Sequence, residues 1–378
     1  MRICENMPSK IDVLIDCRPV RTPITGVARY CIGLSNALNR VAGNNAIDAT
    51  ALVGGRGKND HIGLIESGNY SRIGDRIVPQ VLLNAVNEYL PTVNKLVNSR
   101  NFDIAHETYF ANIAIRSKFK IATIHDTFPL DFPEGYSTRN IKYSQRNLFR
   151  QVSESDLIIS VSEYTKKRIV DITGCSSEKI RVIGLGVDLP SRAESKQVAP
   201  VESPFYLVIG NIEPRKNLER LIDAWISSNV WQTGAKLLIA GRLLYKSDTF
   251  SKKVQAARGY SVVYLGEVDE QEKDVLFRNM RALIFPSLLE GFGIPAIEAY
   301  RYGRPALLAN SSALAELVVR PEWSFDPLNV ESMASAISTF HNRPDDILVD
   351  DLMTVGKSFS WTAVAEKTIE LYRVLGKK

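Results

Sequence analysis

Short apolar runs rich in β-branched residues alternate along this chain with longer segments whose apolar residues recur every three or four positions. The first pattern is typical of buried strands, and the second is typical of amphipathic helices. Alternation of the two predicts parallel sheets whose strands are joined by helical crossovers. In the first half, the predicted strands are IDVLID (11–16), IDATALV (47–53), FDIAHE (102–107), KIATIH (120–125), DLIISVS (156–162) and IRVIG (180–184).

The second half repeats this alternation, which predicts a second parallel sheet. Residues 191–204 are rich in proline, serine and charge and have little to bury, so they predict a linker. We therefore expect an α/β protein of two doubly wound domains, 1–190 and 205–360, with an amphipathic C-terminal helix over 361–378. The strands of the second half are FYLVIG (205–210), KLLIAG (236–241), VVYLG (262–266), RALIFP (281–286) and PALLA (305–309).

Length and composition fit this organisation. A chain of 378 residues exceeds one typical core, and its 45% hydrophobic and 24% charged residues are ordinary for a soluble globular protein. The net charge of +5 fits an anionic small ligand or a lipid surface and is too small to indicate a nucleic-acid partner. No apolar run approaches the ~18 residues that span a bilayer, and the first ten residues lack the apolar core of a signal peptide.

The cysteines do not predict a metal site. Cys4, Cys17, Cys31 and Cys175 form no Cys-x-x-Cys pair, and none has a histidine at ligand spacing. We expect free thiols in a reducing cytoplasm, and no cofactor.

The segment from 286 to 303 carries the most informative chemistry of the chain. It follows a predicted strand, and Pro295 suits the first turn of a helix while Gly303 suits the position just past a helix end. Glycines before a helix N-terminus let backbone N–H groups approach an anion. Glu290 and Glu298 then flank a predicted phosphate site; the alternative is an ordinary strand, loop and helix with a capping glutamate.

Two further segments place chemistry at predicted strand ends. Arg215 and Lys216 follow the strand 205–210, where adjacent cations can hold a diphosphate, although a solvated basic loop has the same pattern. His125 follows the strand 120–125, and a histidine there is either structural or close to a ligand. Gly26 precedes a predicted helix and allows close approach to a phosphate or an acceptor.

The residues EGFGIPAIE (290–298) resemble the signature of the retaining glycosyltransferases of family four. That family has the GT-B fold, in which two Rossmann-like domains face a central cleft and the C-terminal helix completes the first domain. The resemblance implies that Glu290 lies beside the donor sugar and that Glu298 holds the ribose of a nucleotide-sugar. The backbone amides implied to lie at the sugar are those of Gly291, Phe292, Gly293 and Ile294.

Other segments resemble the same family across nearly the whole chain. EPRKN (213–217) is similar to its diphosphate-binding segment, which implies that Lys216 binds the leaving diphosphate. Many members have an arginine directly after the preceding glycine; Asn211 stands there in this chain, so Arg215 is inferred to take that role. His125 is implied to lie near the donor sugar and the developing charge, and Gly26 belongs to the family's first glycine loop.

The resemblance implies a retaining hexosyltransferase that moves a sugar from a nucleotide-sugar to a glycan or a lipid-diphosphate-linked acceptor in bacterial surface polysaccharide synthesis. GDP-mannose is the expected donor; UDP-glucose, UDP-N-acetylglucosamine and a dTDP-deoxysugar stay open. Because the chain contains no Asp-x-Asp, we expect no metal, and Arg215, Lys216 and a helix dipole would neutralise the diphosphate.

Two other functions fit part of the pattern. A nucleotide-sugar epimerase of the same fold is one alternative, and a non-catalytic module that binds nucleotide-sugars is the other. A dinucleotide oxidoreductase fits less well because no Gly-x-Gly-x-x-Gly follows the first strand.

A basic stripe is predicted on the helix that spans residues 137–152. Four cations recur there at three- or four-residue spacing, which places them on one face. This face is either a solvated surface or a site of peripheral contact with an anionic membrane on the cytoplasmic side. The four residues are Arg139, Lys142, Arg146 and Arg150.

Overall fold

The structure is a computed structural model. It describes residues 10–20, 24–42, 47–53, 64–65, 71–74, 101–110, 116–188, 203–244, 248–343 and 349–376. Residues 81–97, whose apolar spacing in the sequence also predicts a helix, lie outside this described part. So do all but the last two residues of the predicted linker 191–204.

The strands of the described chain are, in order, β1 (Ile11–Asp16), β2 (Ile47–Val53), β3 (Ser71–Gly74), β4 (Phe102–Glu107), β5 (Ser117–Ile124), β6 (Leu157–Ser160), β7 (Ile180–Val182), β8 (Phe205–Ile209), β9 (Lys236–Ala240), β10 (Val262–Gly266), β11 (Ala282–Phe285), β12 (Ala306–Ala309) and β13 (Ser324–Phe325). Its α-helices are α1 (Gly26–Ala42), α2 (Phe128–Asp131), α3 (Thr138–Glu154), α4 (Glu163–Thr173), α5 (Leu218–Ser227), α6 (Asp248–Ala256), α7 (Glu270–Asn279), α8 (Ile294–Arg301), α9 (Val330–Asn342), α10 (Val349–Ser358) and α11 (Trp361–Gly376).

The chain forms two compact units, each built from segments that are not contiguous in sequence. The first unit comprises Met1–Thr127, Thr138–Gly186 and Ser360–Lys378, and the second comprises Phe128–Ser137 and Val187–Phe359. The C-terminal helix α11 therefore belongs to the first unit. The short segment directly after Thr127 belongs to the second unit, which the sequence did not indicate.

The first unit is a seven-stranded parallel sheet in the order β3-β2-β1-β4-β5-β6-β7. The last four residues of each of its central strands β1, β4 and β5 are buried; in β1, for example, Val13, Leu14 and Ile15 have no exposed surface. Helices cover parallel sheets, so their strands appear in sequence as continuous apolar runs rather than as alternating ones. That is why the sequence predicted these strands.

The second unit is a six-stranded sheet in the order β10-β9-β8-β11-β12-β13, in which every pair is parallel. Strand order reverses between β8 and β11, so the loops after these two strands start from neighbouring points at one edge of the sheet. In open α/β sheets such a reversal is where ligands bind. The predicted fold class of two parallel-sheet α/β domains is confirmed.

Helix α11 packs closely on the first unit through an aromatic ring and two glycines. The Trp361 ring lies where a Cβ on Gly33 of α1, or on Gly186, would clash with it. Larger residues at either position would have to displace the indole ring. The close approach of α11 to α1 therefore depends on Gly33, and its close approach to the segment after β7 depends on Gly186.

A buried chain of hydrogen bonds also links α11 to the sheet of the first unit. The Tyr30 hydroxyl and Thr123 Oγ1 lie 3.0 Å apart, and Thr123 Oγ1 lies 2.7 Å from His106 Nε2. His106 Nδ1 lies 2.7 Å from the Tyr372 hydroxyl of α11. Burial lowers the pKa of His106 to about 3, so the imidazole is neutral.

This neutral histidine predicts a loss of stability in acid. The unfolded chain binds a proton at His106 below about pH 6.5, whereas the folded protein binds it only near pH 3. The contribution of neutral His106 to the unfolding free energy is fully present above pH 6.5 and is lost as the pH falls toward 3. Between about pH 7 and about pH 5, we expect His106 to account for about 2 kcal/mol of the loss in unfolding free energy.

Urea unfolding of wild type and His106→Gln at the two pH values measures this share. Glutamine cannot titrate. Between about pH 7 and about pH 5, the unfolding free energy of the variant should therefore fall by about 2 kcal/mol less than that of wild type. His125, whose pKa is also lowered, remains in both proteins and cancels in the comparison. The same pH dependence in both proteins would contradict the assignment of a neutral buried His106.

Candidate functional site

The loop after β8 begins at a tight backbone contact. Gly210 has φ 137° and Gly241, at the end of β9, has φ 147°. A Cβ on Gly241 would collide with the carbonyl group of Gly210, so only glycine lets these two strand ends approach so closely. A small pocket opens here, and its lining includes Gly210, Asn211, Lys216 and Ser287.

Asn217 connects the loop after β8 to the loop after β11. It has a left-handed backbone, φ 58°, which asparagine tolerates better than most residues. Its buried side-chain Nδ2 donates to the carbonyl oxygens of Pro286 at 3.1 Å and Pro327 at 2.7 Å. The backbone N–H of Leu288 donates to the Arg215 carbonyl at 2.9 Å. These bonds hold the two loops together.

A buried carboxylate lies between two cations where these loops meet. Glu290 Oε1 is 2.7 Å from Lys216 Nζ and 2.9 Å from Arg215 Nη1. Arg215 also pairs with Glu213 at 2.5 Å and donates to the Leu289 carbonyl. Glu290 and Arg215 are 8% and 7% exposed. The sequence predicted that Arg215, Lys216 and Glu290 bind a ligand, and the structure brings the three side chains into direct contact.

The electrostatics of this cluster follow from burial and from the paired charges. Burial raises the pKa of Glu290, but Lys216 and Arg215 outweigh it, and the pKa lies below its ordinary value. Burial opposes the charge on Arg215, yet Glu290 and Glu213 raise its pKa. For Lys216, burial lowers the pKa while Glu290 opposes that effect. The carboxylate is therefore held ionised.

Arg215 has an aromatic neighbour that sequence reasoning missed. Its guanidinium carbon lies 4.2 Å from the centre of the Phe128 ring, a distance typical of a cation–π contact. Phe128 begins the short helix α2, which belongs to the second unit. The sequence showed only an apolar residue after the His125 segment, and nothing in it indicated a guanidinium partner.

The glycine-rich loop leads into α8 as the sequence predicted. Gly293 has φ 124°, and a Cβ there would press on Leu314 and Leu317. Pro295 lies in the first turn of α8, and Gly303 follows its end with φ 66°. Phe292 is buried and its ring meets that of Phe359 edge to face. Gly291 and Ile294 lie in the same loop and at the helix start.

Glu298 lies within α8 and is paired with a lysine that the sequence did not single out. Lys273 Nζ, from α7, donates to Glu298 Oε1. The two side chains are 17% and 8% exposed. Lys273 lies on an ordinary charged helix, so no local signal in the sequence distinguishes it from its solvated neighbours.

His125 and Gly26 belong to the first unit. His125 is partly buried; its Nε2 lies 2.9 Å from the Thr108 carbonyl oxygen, so Nε2 carries the proton and donates. The Tyr30 ring meets the imidazole edge to face, with centroids 4.8 Å apart. Burial lowers the pKa of His125 to about 4. Gly26 begins α1, and a Cβ there would meet open space.

The predicted basic stripe on α3 needs one correction. Arg150 does not lie on an exposed face, because its guanidinium pairs with the buried carboxylate of Glu107 at 2.9 Å and with Glu154 at 3.4 Å. The other three cations are exposed, and two exposed aromatic side chains lie on the same helix face. The exposed set, called the α3 face below, is Arg139, Lys142, Tyr143, Arg146 and Phe149.

None of the helices given above combines the length and the hydropathy that a membrane crossing requires. Among the described residues, no three potential metal ligands cluster together.

Two family models match the chain in succession. Residues 24–190 match the model of Glycosyltransferase Family 4, and residues 191–350 match that of Glycosyl transferases group 1. Together they cover most of both units.

Among curated proteins, the chain is similar to O-antigen chain mannosyltransferase B of Escherichia coli, with 24% identity over 96% of this chain and 100% of that protein. It is also similar to O-antigen chain mannosyltransferase RfbU of Salmonella typhimurium, with 25% identity over 85% of this chain and 89% of that protein.

Solved structures show the same fold at low identity. Sucrose-phosphate synthase from Thermosynechococcus elongatus superimposes with a TM-score of 0.74 and 18% identity, over 97% of this chain and all of that one. Anabaena HepE in complex with UDP gives a TM-score of 0.69 with 16% identity, over 96% of this chain and all of that one.

The geometry of Asn217 predicts a marked stability effect. Asn217→Gly keeps the left-handed backbone but leaves the carbonyls of Pro286 and Pro327 without their donor. We therefore expect the unfolding free energy to fall by about 2–4 kcal/mol. Asn217→Ala should lose about 1 kcal/mol more, because alanine is strained at positive φ. Chemical unfolding of the full chain measures the loss of unfolding free energy in both variants.

Asn229 provides the matched control. It has the same left-handed backbone, φ 57°, but its side chain is exposed. That side chain donates to the Ser227 carbonyl at 3.4 Å and accepts from Gln232 Nε2 at 3.2 Å, and both bonds are local and exposed. Asn229→Gly should therefore change stability by less than 1 kcal/mol. If the two glycine variants were equally stable, the cross-loop hydrogen bonds of Asn217 would not be holding the site.

Proposed function

We propose that this chain, which belongs to the family-four glycosyltransferases and has the GT-B fold, transfers mannose from GDP-mannose with retention of anomeric configuration. The acceptor would be a glycan or a lipid-diphosphate-linked glycan in bacterial surface polysaccharide synthesis. One observation carries the proposal: Arg215, Lys216 and Glu290 meet at the reversal of strand order, where an α/β sheet binds ligands. The donor would bind the second unit and the acceptor the first.

The charge cluster supports a role in departure of the diphosphate. Arg215 and Lys216 are fixed by buried contacts before any ligand arrives, and Glu290 and Glu213 together balance their two charges. A diphosphate carries enough negative charge to compete with the Glu290 carboxylate for both cations. Backbone N–H groups at the start of α8 add to the stabilisation of the leaving group, since a helix N-terminus favours anions. No metal is required in this arrangement, and metal independence is part of the proposal.

The retaining step that we propose is a front-face attack. The acceptor oxygen forms a bond to the anomeric carbon on the face from which the phosphate oxygen departs. The acceptor proton passes to the leaving phosphate, and Glu290 orients the sugar without forming a covalent bond. Neutral His125 would contribute from the first unit near the reacting carbon, with Nδ1 unprotonated because Nε2 donates to Thr108.

The choice of mannose is supported by relatives rather than by a contact. Both curated relatives described above are named O-antigen mannosyltransferases, and they align with 96% and 85% of this chain. UDP-glucose, UDP-N-acetylglucosamine and a dTDP-deoxysugar are the competing donors.

Hydrolysis and transfer assays with these four nucleotide-sugars test the proposal. GDP-mannose should turn over fastest, the rate should persist in excess chelator, and the product should keep the anomeric configuration of the donor by NMR. Lys216→Ala and Arg215→Ala should each lower turnover by roughly tenfold to a thousandfold, because each removes stabilisation of the leaving diphosphate.

Lys253→Ala is the control for these two variants. Lys253 forms an ion pair with Asp223 in the same unit, away from the cluster, so its loss should leave turnover unchanged. Full activity of both cluster variants would overturn the role of Arg215 and Lys216. An inverted product, or a strict need for added magnesium or manganese, would overturn the proposed mechanism.

We also propose peripheral attachment to an anionic membrane through the α3 face. Its three cations are exposed beside Tyr143 and Phe149, which are 41% and 44% exposed. Cations near an anionic surface contribute about 1 kcal/mol each, and exposed aromatic rings favour the interface.

Vesicle sedimentation tests this attachment. Wild type should bind phosphatidylserine vesicles at low salt and release them as salt rises. A triple glutamine variant at Arg139, Lys142 and Arg146 should bind at least tenfold more weakly. The control replaces three cations of α4 with glutamine, which removes the same charge from another helix of the same unit. The control positions are Lys166, Lys167 and Arg168. Equal binding of vesicles by the two triple variants would show that the α3 face is a solvated surface with no part in attachment.

A further inference from the structure

The Lys273–Glu298 pair is a second buried charge pair in the second unit, separate from the cluster around Glu290. Lys273 Nζ donates to Glu298 Oε1, and its Nζ lies 3.8 Å from the exposed carboxylate of Glu270. Within the described residues, Lys273 is the hydrogen-bond donor to the Glu298 carboxylate, and no donor meets Oε2. Lys273 thus fixes one of the two carboxylate oxygens of Glu298.

The position of Glu298 in its helix explains why it needs this cation. It is the fifth of the eight residues of α8, so the helix N-terminus is too distant to stabilise a negative charge well. A carboxylate that is only 8% exposed costs several kcal/mol when it has no partner. Lys273 supplies the opposite charge, and it restricts the carboxylate to one orientation.

Helix α7 is itself fixed in place, so that Lys273 is a rigid support. Its N-terminus has a complete capping box between Asp269 and Glu272. Asp274, next to Lys273, accepts from the Tyr302 hydroxyl at 2.5 Å, and Tyr302 caps the C-terminus of α8. The Phe277 and Tyr302 rings stack with centroids 5.5 Å apart. Two adjacent residues of α7 thus hold two points of α8.

We infer that Lys273 is a positioning residue for nucleotide recognition: it holds the Glu298 carboxylate in the orientation that accepts hydrogen bonds from the hydroxyls of a ribose. This inference rests on the proposed function, in which Glu298 binds that ribose. Lys273 would act through Glu298 and would not touch the nucleotide.

Calorimetry with nucleoside diphosphates tests the inference. GDP, UDP and ADP are titrated into wild type first, and the tightest of them is used with its 2′,3′-dideoxy analogue. Lys273→Met should weaken binding of the ribonucleotide about tenfold, the value of one charge-assisted hydrogen bond. Binding of the dideoxy analogue should change less than twofold, because it has no hydroxyl for Glu298 to accept from.

A double-mutant cycle separates action through Glu298 from direct contact. Lys273→Met should add no further loss in a Glu298→Gln background, because the carboxylate that it orients is gone. The double variant has no unpaired buried charge at this site. It can therefore still be compared with Glu298→Gln if Lys273→Met alone folds poorly. Lys273→Arg should restore part of the ribonucleotide affinity that Lys273→Met loses. In Lys273→Met, the KM for the donor should change while kcat stays within about twofold of wild type.

Lys253→Met serves as the control, since it breaks another lysine–carboxylate pair of the same unit, Lys253 with Asp223, and should leave both ligands bound as in wild type. An equal loss for the ribonucleotide and the dideoxy analogue, or an additive loss in the double variant, would overturn the inference alone. Failure of wild type to bind any of the three diphosphates would instead overturn the proposed function, and the inference with it.

Discussion

The buried carboxylate of Glu290, held between Arg215 and Lys216, is the interaction on which the described site depends. A lone ion at this level of burial would be strongly destabilising, so the three side chains can be buried only together. They come from the loops after β8 and β11, which are non-adjacent in sequence but adjacent in the sheet. The cluster thus fixes the two loops against each other, and the bonds of Asn217 reinforce it. Binding groups that are fixed in advance lose little entropy when a ligand arrives.

Much of the fold could be predicted because its determinants are local. Parallel strands buried on both faces appear as unbroken apolar runs, and every strand predicted from such a run has a counterpart in the structure within three residues at each end. Pro295 and Gly303 marked the two ends of α8 by their backbone preferences alone. The strands β3 and β13 were not predicted, since they have four and two residues and contain little apolar sequence.

What could not be predicted depends on pairing between distant segments. Tyr372 and His106 are 266 residues apart, and Lys273 pairs with a glutamate 25 residues away on another helix. Arg150 had the spacing of an exposed stripe, yet Glu107 at the end of β4 draws its side chain inward. Charged residues on amphipathic helices look alike in sequence; which of them becomes a buried partner is decided by how the elements pack.

The membership of α11 in the first unit affects how the protein is made. Synthesis runs from the N-terminus, at roughly 5–20 residues per second. Every residue of the second unit, which ends at Phe359, leaves the ribosome before α11 does. The second unit can therefore be complete while the first still lacks the Trp361 ring at Gly33 and the Tyr372 hydroxyl at His106. A chain interrupted just before α11 would keep the whole second unit and lose the helix that completes the first.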